Sequence, residues 1–357
     1  MTPADESAIL TLCERAGFAL AGVCSAHPTD YADQLAAWIA AGKHGEMSYL
    51  ADQLAARLDP NLVLEGARSA VIVADLYHTR DEPADAAMSK GGRIARYARG
   101  RDYHASIKKR LHALADELRE RFPGEEFRAF TDTAPVMERE LAARAGVGWT
   151  GKHTLTINPK LGSWFFLGGL LTTLQPPEEQ KARAMPDHCG TCTRCIDACP
   201  TNAITPYSVD ATRCISYLTI EQRSPIDPAF FESIGGWIAG CDICQEVCPH
   251  NSPRADRAVG ERHPDYEPTL PRLDPLEVIG WTAEDRAKAL KGSALKRIKL
   301  DMFRRNAVIV AMNAYRATGD ARLLEAIKAA AEDESELVRR TAMDALDLLG
   351  RLPASPG

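Results

Sequence analysis

Cys189-Gly-Thr-Cys192-Thr-Arg-Cys195-Ile-Asp-Ala-Cys199-Pro200, followed by Cys214 and then by Cys241-Asp-Ile-Cys244-Gln-Glu-Val-Cys248-Pro249, decides how the rest of the chain is read. The spacing x2, x2, x3-Pro is the run in which three thiolates wrap one iron-sulfur cubane and the fourth goes to a neighbouring cluster. A cubane needs a thiolate at each corner, and a short loop wraps only three before the chain leaves as a helix. Exchange of the fourth ligand closes the count without a spare. Cys189, Cys192, Cys195 and Cys248 then hold one 4Fe-4S cluster, and Cys199, Cys214, Cys241 and Cys244 hold the second. Structural zinc is the alternative, and this is not its usual spacing. A disulfide scaffold would suit a short secreted chain, whereas eight of these ten cysteines lie at metal-ligand spacing within 357 residues. Cys13 and Cys24 lie far from the motif and read as buried structural thiols.

Upstream of the cysteines, Glu6 to Ala21 reads as an amphipathic helix and Ser69-Ala-Val-Ile-Val-Ala-Asp75 as a buried strand. A second helix runs from about His104 to Arg121, with Leu111, Leu114, Ala115 and Leu118 on one face, and Pro123-Gly124 breaks it. Ser163 to Thr172 reads as another buried strand. Residues 1–175 are therefore expected to form an α/β domain, 176–255 a small cluster module after a polar, proline-containing linker, and 256–292 an irregular connector. From 293 to 357 the apolar period is helical, in Phe303 to Tyr315, Ala321 to Ala331 and Ser335 to Leu349. The last of these resembles a HEAT-repeat helix; an ordinary helical bundle is the alternative.

A length of 357 residues with 45% hydrophobic content predicts two or three packed units rather than one core. No run of 18 apolar residues and no basic leader with an apolar stretch behind it occurs, so a cytoplasmic location off the membrane is expected. A net charge of −6 argues against indiscriminate coating of nucleic acid, but charge is local. Ser89 to Arg110 holds eight Lys or Arg against one acid, and Glu284 to Arg305 eight against three, so both are candidate phosphate-binding surfaces or else solvated faces. No Gly-x-Gly-x-x-Gly follows a strand, and no phosphate loop, His-Glu-x-x-His site or radical-initiating cysteine triplet is present. Two clusters form an electron wire, and a wire implies an acceptor. Composition and spacing leave the first domain's cofactor undetermined.

Phe130-Thr-Asp-Thr-Ala-Pro-Val-Met-Glu-Arg139, Ala145-Gly-Val-Gly-Trp-Thr-Gly-Lys152 and Leu161-Gly-Ser-Trp-Phe165 resemble the central blocks of the epoxyqueuosine reductases. With Arg96-Tyr-Ala-Arg-Gly-Arg-Asp-Tyr-His104, the cluster module and the terminal helices, the resemblance covers nearly the whole chain. It implies a nitroreductase-like α/β corrinoid-binding domain shared with reductive dehalogenases, a bacterial-type two-cluster ferredoxin module, and a HEAT-like helical domain that binds tRNA. It further implies that the first domain binds cobalamin, that the clusters reduce its cobalt, and that the substrate is the epoxide-bearing ring of epoxyqueuosine in a tRNA anticodon. Conversion to queuosine takes two electrons and two protons and releases water.

Under this resemblance Asp132 is the proton donor, with a pKa raised by burial. From the residues alone, a helix cap by Asp132 or Thr133 near Pro135 is an equal reading. Arg57, Tyr97, Asn158 and Ser163 match cofactor-facing segments of the family, Asp132 being the fifth expected cobalamin neighbour. Lys296, Arg297, Arg304 and Arg305, with Arg223 nearer the clusters, are the expected tRNA contacts. The chain departs from the pattern at His153, where many members carry Asn. A monomer served by an unidentified low-potential electron donor is expected. The rival readings are a corrinoid reductase or dehalogenase of a small molecule and a two-cluster electron carrier.

Overall fold

The structure is a computed structural model and describes residues 1–78, 92–177, 185–252 and 261–351; Lys90 of the first basic stretch, residues 178–181 of the expected linker and 256–260 of the expected connector lie outside them. A four-stranded sheet organises the first 175 residues, in the spatial order Leu20–Ser25, Ser69–Leu76, Phe165–Thr172, Phe127–Thr131, with every neighbouring pair antiparallel. Alternation along the second strand sends Val71 and Val73 to one face and Ala70, Ile72 and Ala74 to the other. The first face packs against Ile9 and Cys13 of helix Pro3–Arg15 and against Ile107, Leu111, Leu114 and Leu118 of helix Tyr103–Arg121. The second packs against Leu141 and Ala142 of helix Glu138–Arg144. Covering on both faces is why the strand reads as one apolar run.

Gly168 and Gly169 lie in this sheet, where a Cβ on Gly169 would stand 2.4 Å from the Val71 carbonyl oxygen; they serve close packing. The helix expected over Glu6 to Ala21 ends at Arg15, because Gly17 takes φ +80° and turns the chain into the first strand. Cys13 and Cys24 are buried in the two cores, and burial pushes both thiols up to about 12.

A second, three-stranded sheet joins regions distant in sequence. Gly92–Ile94 pairs in parallel with Trp237–Ala239 of the cluster module and antiparallel with Arg272–Leu273 of the connector. The connector is thus less irregular than its composition predicts. Arg93 and Arg96 fasten the junction: Arg93 lies over the Trp237 ring and pairs with Glu246 at 2.8 Å, while Arg96 pairs with Glu246 at 2.7 Å and Asp242 at 3.3 Å.

Three helices follow, Leu300–Thr318, Ala321–Ala330 and Glu336–Gly350, close to the bounds that periodicity predicts. The first is bonded to the cluster module through side chains. Asn306 Nδ2 donates to the carbonyls of Thr219 and Ile238, and Asn313 Nδ2 to those of Phe231 and Gly235. One apolar core runs from Ile215 and Trp237 through Phe303 and Val308 to Val338 and Ala342.

Candidate active site and cluster module

Strand Phe127–Thr131 ends in a turn, with the Ala134 N–H donating to the Thr131 carbonyl, and helix Glu138–Arg144 starts only beyond Met137. Asp132 sits on that turn and caps no helix. The Tyr103 hydroxyl donates to Asp132 Oδ2 at 2.5 Å, and His104 Nε2 lies 2.9 Å from Asp132 Oδ1. On the other side of the imidazole, His104 Nδ1 is 2.7 Å from Asp102 Oδ1. Asp102 is itself the cap of helix Tyr103–Arg121, so the helix start aims His104 at the turn. Tyr103 is held flat against Phe166, the ring centroids 3.9 Å apart.

These contacts correct the expected titration of Asp132. Burial raises its pKa, but the contact with His104 and the Tyr103 hydroxyl outweigh that, and the carboxyl ends below its ordinary value. For His104, burial acts downward, and the contacts with Asp102 and Asp132 overcome it, holding the imidazolium up at about 9. Near neutral pH the pair is therefore an ionised carboxylate beside a protonated imidazole. Tyr103 and His104 close the quoted Arg96–His104 block; that block was the available signal, but spacing alone does not pair them with Asp132.

Of the other expected cofactor neighbours, Arg57 is 9% exposed and its Nε is buried without a hydrogen-bond partner among the described residues. It lines a small cavity with His27, Met137, Glu140 and Arg144. Tyr97 packs edge-on to Tyr103, and burial raises its hydroxyl pKa. Asn158 and Ser163 have their side chains engaged by protein. Asn158 bonds the Val147 carbonyl and the N–H groups of Lys160 and Leu161, while Ser163 Oγ accepts from Gln245 and Asn251.

The basic residues divide by exposure. Lys296 and Arg297 are exposed, with Lys296 acting electrostatically on Asp102 and Arg297 on Asp132; Arg297 also pairs with Glu221 at 2.7 Å. Arg223 is exposed as expected. Arg305 is fully buried and donates to the carbonyls of Leu218, Gln222 and Ser224, so it is a structural tie and no surface contact. Arg304 is spent on Asp333 and the Ile279 carbonyl. Arg93, Arg96 and Arg99 are likewise buried, which removes three of the eight basic residues of the first stretch as phosphate contacts.

In the cluster module the eight cysteines are free thiols in two groups. Cys189, Cys192, Cys195 and Cys248 line one cavity, with Lys152, His153, His188 and His250 among its other walls. Cys214 is in electrostatic reach of Cys199, Cys244 of Cys214, Cys195 and Cys199, and Cys241 of Cys244 and Cys214. Eight thiols in one module are a donor set that fits two cubanes, and four of them, Cys189, Cys192, Cys195 and Cys248, already share a cavity.

A two-cluster module packed against an α/β domain with a solvent-facing carboxylate-imidazole pair defines an iron-sulfur oxidoreductase. Residues 188–251 match the 4Fe-4S double cluster binding domain, and residues 57–133 match the family described as epoxyqueuosine reductase QueG, DUF1730. An epoxyqueuosine reductase of Leadbetterella byssophila is 40% identical over 295 residues, 82% of this chain and 94% of that protein. The chain belongs to the epoxyqueuosine reductase family. Among solved structures, the epoxyqueuosine reductase from Streptococcus thermophilus is 26% identical with a TM-score of 0.81, covering 98% of this chain and 91% of the other. An epoxyqueuosine reductase with an epoxyqueuosine-modified tRNA stem loop, 24% identical, has the same fold at a TM-score of 0.80, over 99% of this chain and 95% of that one.

Proposed function

We propose that this chain reduces epoxyqueuosine to queuosine in tRNA, using two 4Fe-4S clusters and cobalamin. The observation that carries the reading is the Asp132–His104 pair on an exposed turn, with Arg297 acting electrostatically on Asp132, in a member of a family named for this reaction. Cys189, Cys192, Cys195 and Cys248 hold one cluster and Cys199, Cys214, Cys241 and Cys244 the other. Cobalamin, when bound, supplies a metal that takes up electrons from the clusters and delivers two of them to the substrate. The unpartnered Arg57 Nε fits an amide or phosphate acceptor of such a group, and Tyr97 lies against Tyr103 beside Asp132.

The protein's own part is the proton. The epoxide oxygen leaves as water, so it must be protonated as its C–O bond breaks. His104 stores a proton at Nε2, Asp132 lies between it and solvent, and Tyr103 fixes the second carboxylate oxygen. Asp132 thus acts as the donor of one of the two protons that water formation takes, the one held by the pair, and solvent supplies the other. The exposed Lys296, Arg297 and Arg223 contact phosphates of a base-extruded anticodon loop. The terminal helices, read as HEAT-like, extend that surface. The first domain is the nitroreductase-like corrinoid unit, and the enzyme acts as a cytoplasmic monomer served by a separate low-potential donor.

Anaerobic reconstitution with iron, sulfide and cobalamin, then reductant and epoxyqueuosine-containing tRNA, tests the reading. The nucleoside is expected to lose the mass of one oxygen. Full cofactor incorporation without that loss would overturn it in favour of a small-molecule reductase.

A further inference from the structure

The hairpin that follows helix Glu138–Arg144, Trp149–Thr150 paired with Thr156–Ile157, leans on the cluster module, and nothing in the proton chemistry uses it. Its lysine is a clamp: Lys152 Nζ donates to the carbonyls of Gly190 at 2.6 Å and Cys192 at 3.1 Å. Trp149 and Ile157 pack with Cys248 and Cys189. Three polar side-chain atoms of the hairpin remain unaccounted for among the described residues, Thr156 Oγ1 and two N–H nitrogens. Trp149 Nε1 and His153 Nε2 are buried with no hydrogen-bond partner among the described residues, in side chains only 3% exposed. A buried N–H without a partner forfeits its hydration for nothing in return, so its retention at two neighbouring positions calls for an acceptor.

The tautomer of His153 follows from its other nitrogen. Nδ1 accepts the Leu155 N–H at 3.2 Å, so the ring proton is on Nε2, which is a donor. His153 lines the cavity walled by Cys189, Cys192, Cys195 and Cys248, and the influence of the Trp149 indole falls on the Cys189 thiol. The acceptors available there once iron is bound are thiolate and inorganic sulfide.

We infer that the hairpin 149–157 tunes the cluster of Cys189, Cys192, Cys195 and Cys248 through N–H···S hydrogen bonds from Trp149 Nε1 and His153 Nε2, setting its potential above the value those four thiolates alone would give. A donor stabilises the reduced cluster, which carries one more negative charge, over the oxidised one. Each bond, as a charge-assisted hydrogen bond, favours reduction about tenfold, equivalent to about 59 mV for one electron. The inference rests on the double-cluster reading.

The test is EPR-monitored redox titration of the anaerobically reconstituted full chain: wild type, Trp149→Phe, His153→Leu and His153→Asn. Trp149→Phe and His153→Leu should each move one of the two couples to more negative potential by about tenfold in the oxidised-to-reduced ratio and leave the other in place, while His153→Asn, which keeps an N–H, should stay nearer wild type. Unshifted couples in variants with full iron and sulfide content overturn the inference alone; a wild type that takes up no 4Fe-4S clusters overturns the reading beneath it. Should His153→Leu not retain iron, wild type labelled with 15N-histidine must show a nitrogen coupling in the pulsed EPR spectrum of the reduced protein that labelled His153→Asn lacks. Identical spectra would overturn it.

Discussion

Asp132 and His104 show one interaction from two sides, and its stabilisation counts once. Asp132→Asn keeps the shape of the turn but cannot hold a proton for transfer. Turnover should fall by about 10²- to 10⁴-fold with the cluster absorbance unchanged, as read by single-turnover nucleoside mass spectrometry. His104 gives a stability signature with a definite sign. Its folded pKa of about 9 exceeds the unfolded 6.5, so its contribution is complete below about pH 6.5 and is lost as pH rises through about 9. That contribution is on the order of 3 kcal/mol at full strength. Chemical denaturation across this window should show a wild-type midpoint that falls with pH and a His104→Gln midpoint that starts lower and stays flatter. The resemblance singled out Asp132, but its ionised state was not legible, because the imidazole that sets it comes from another element.

Helix Leu300–Thr318 shows what periodicity reveals and what it hides. The apolar spacing from Phe303 to Tyr315 marks a helix, but a run of basic residues does not say which of them face solvent. Arg305 points inward because helix Ile215–Ile220 and the segment after it end with carbonyls that lack helical partners, and a guanidinium can satisfy several at once. Arg305→Ala should therefore lower stability by roughly 3 kcal/mol or more, visible as a drop in Tm, since it orphans the Leu218, Gln222 and Ser224 oxygens. Lys296→Ala should change stability by less than about 0.5 kcal/mol yet weaken tRNA binding and reduce its salt slope by about one. The two substitutions separate a tie from a contact within ten residues of sequence.

At the scale of the molecule, the cluster module was the most legible part, because metal ligation fixes cysteine spacing along the chain. The antiparallel order of the first sheet was not legible, since its strands pair across long separations that no local pattern encodes. Nor was the strand Gly92–Ile94, which leaves the first domain to pair with Trp237–Ala239. The ligand exchange makes a prediction that local reading alone would get wrong. Cys248 follows Cys241 and Cys244 closely in sequence, yet it shares a cavity with Cys189, Cys192 and Cys195. Cys248→Ala should therefore empty the cluster of the first run and spare the second, with iron falling to about half. Adding Cys189→Ala to it should cost no further iron, whereas adding Cys244→Ala should remove the remainder. If Cys248 instead belonged with its sequence neighbours, the two double variants would exchange behaviour, and iron analysis with EPR of the dithionite-reduced proteins distinguishes the cases.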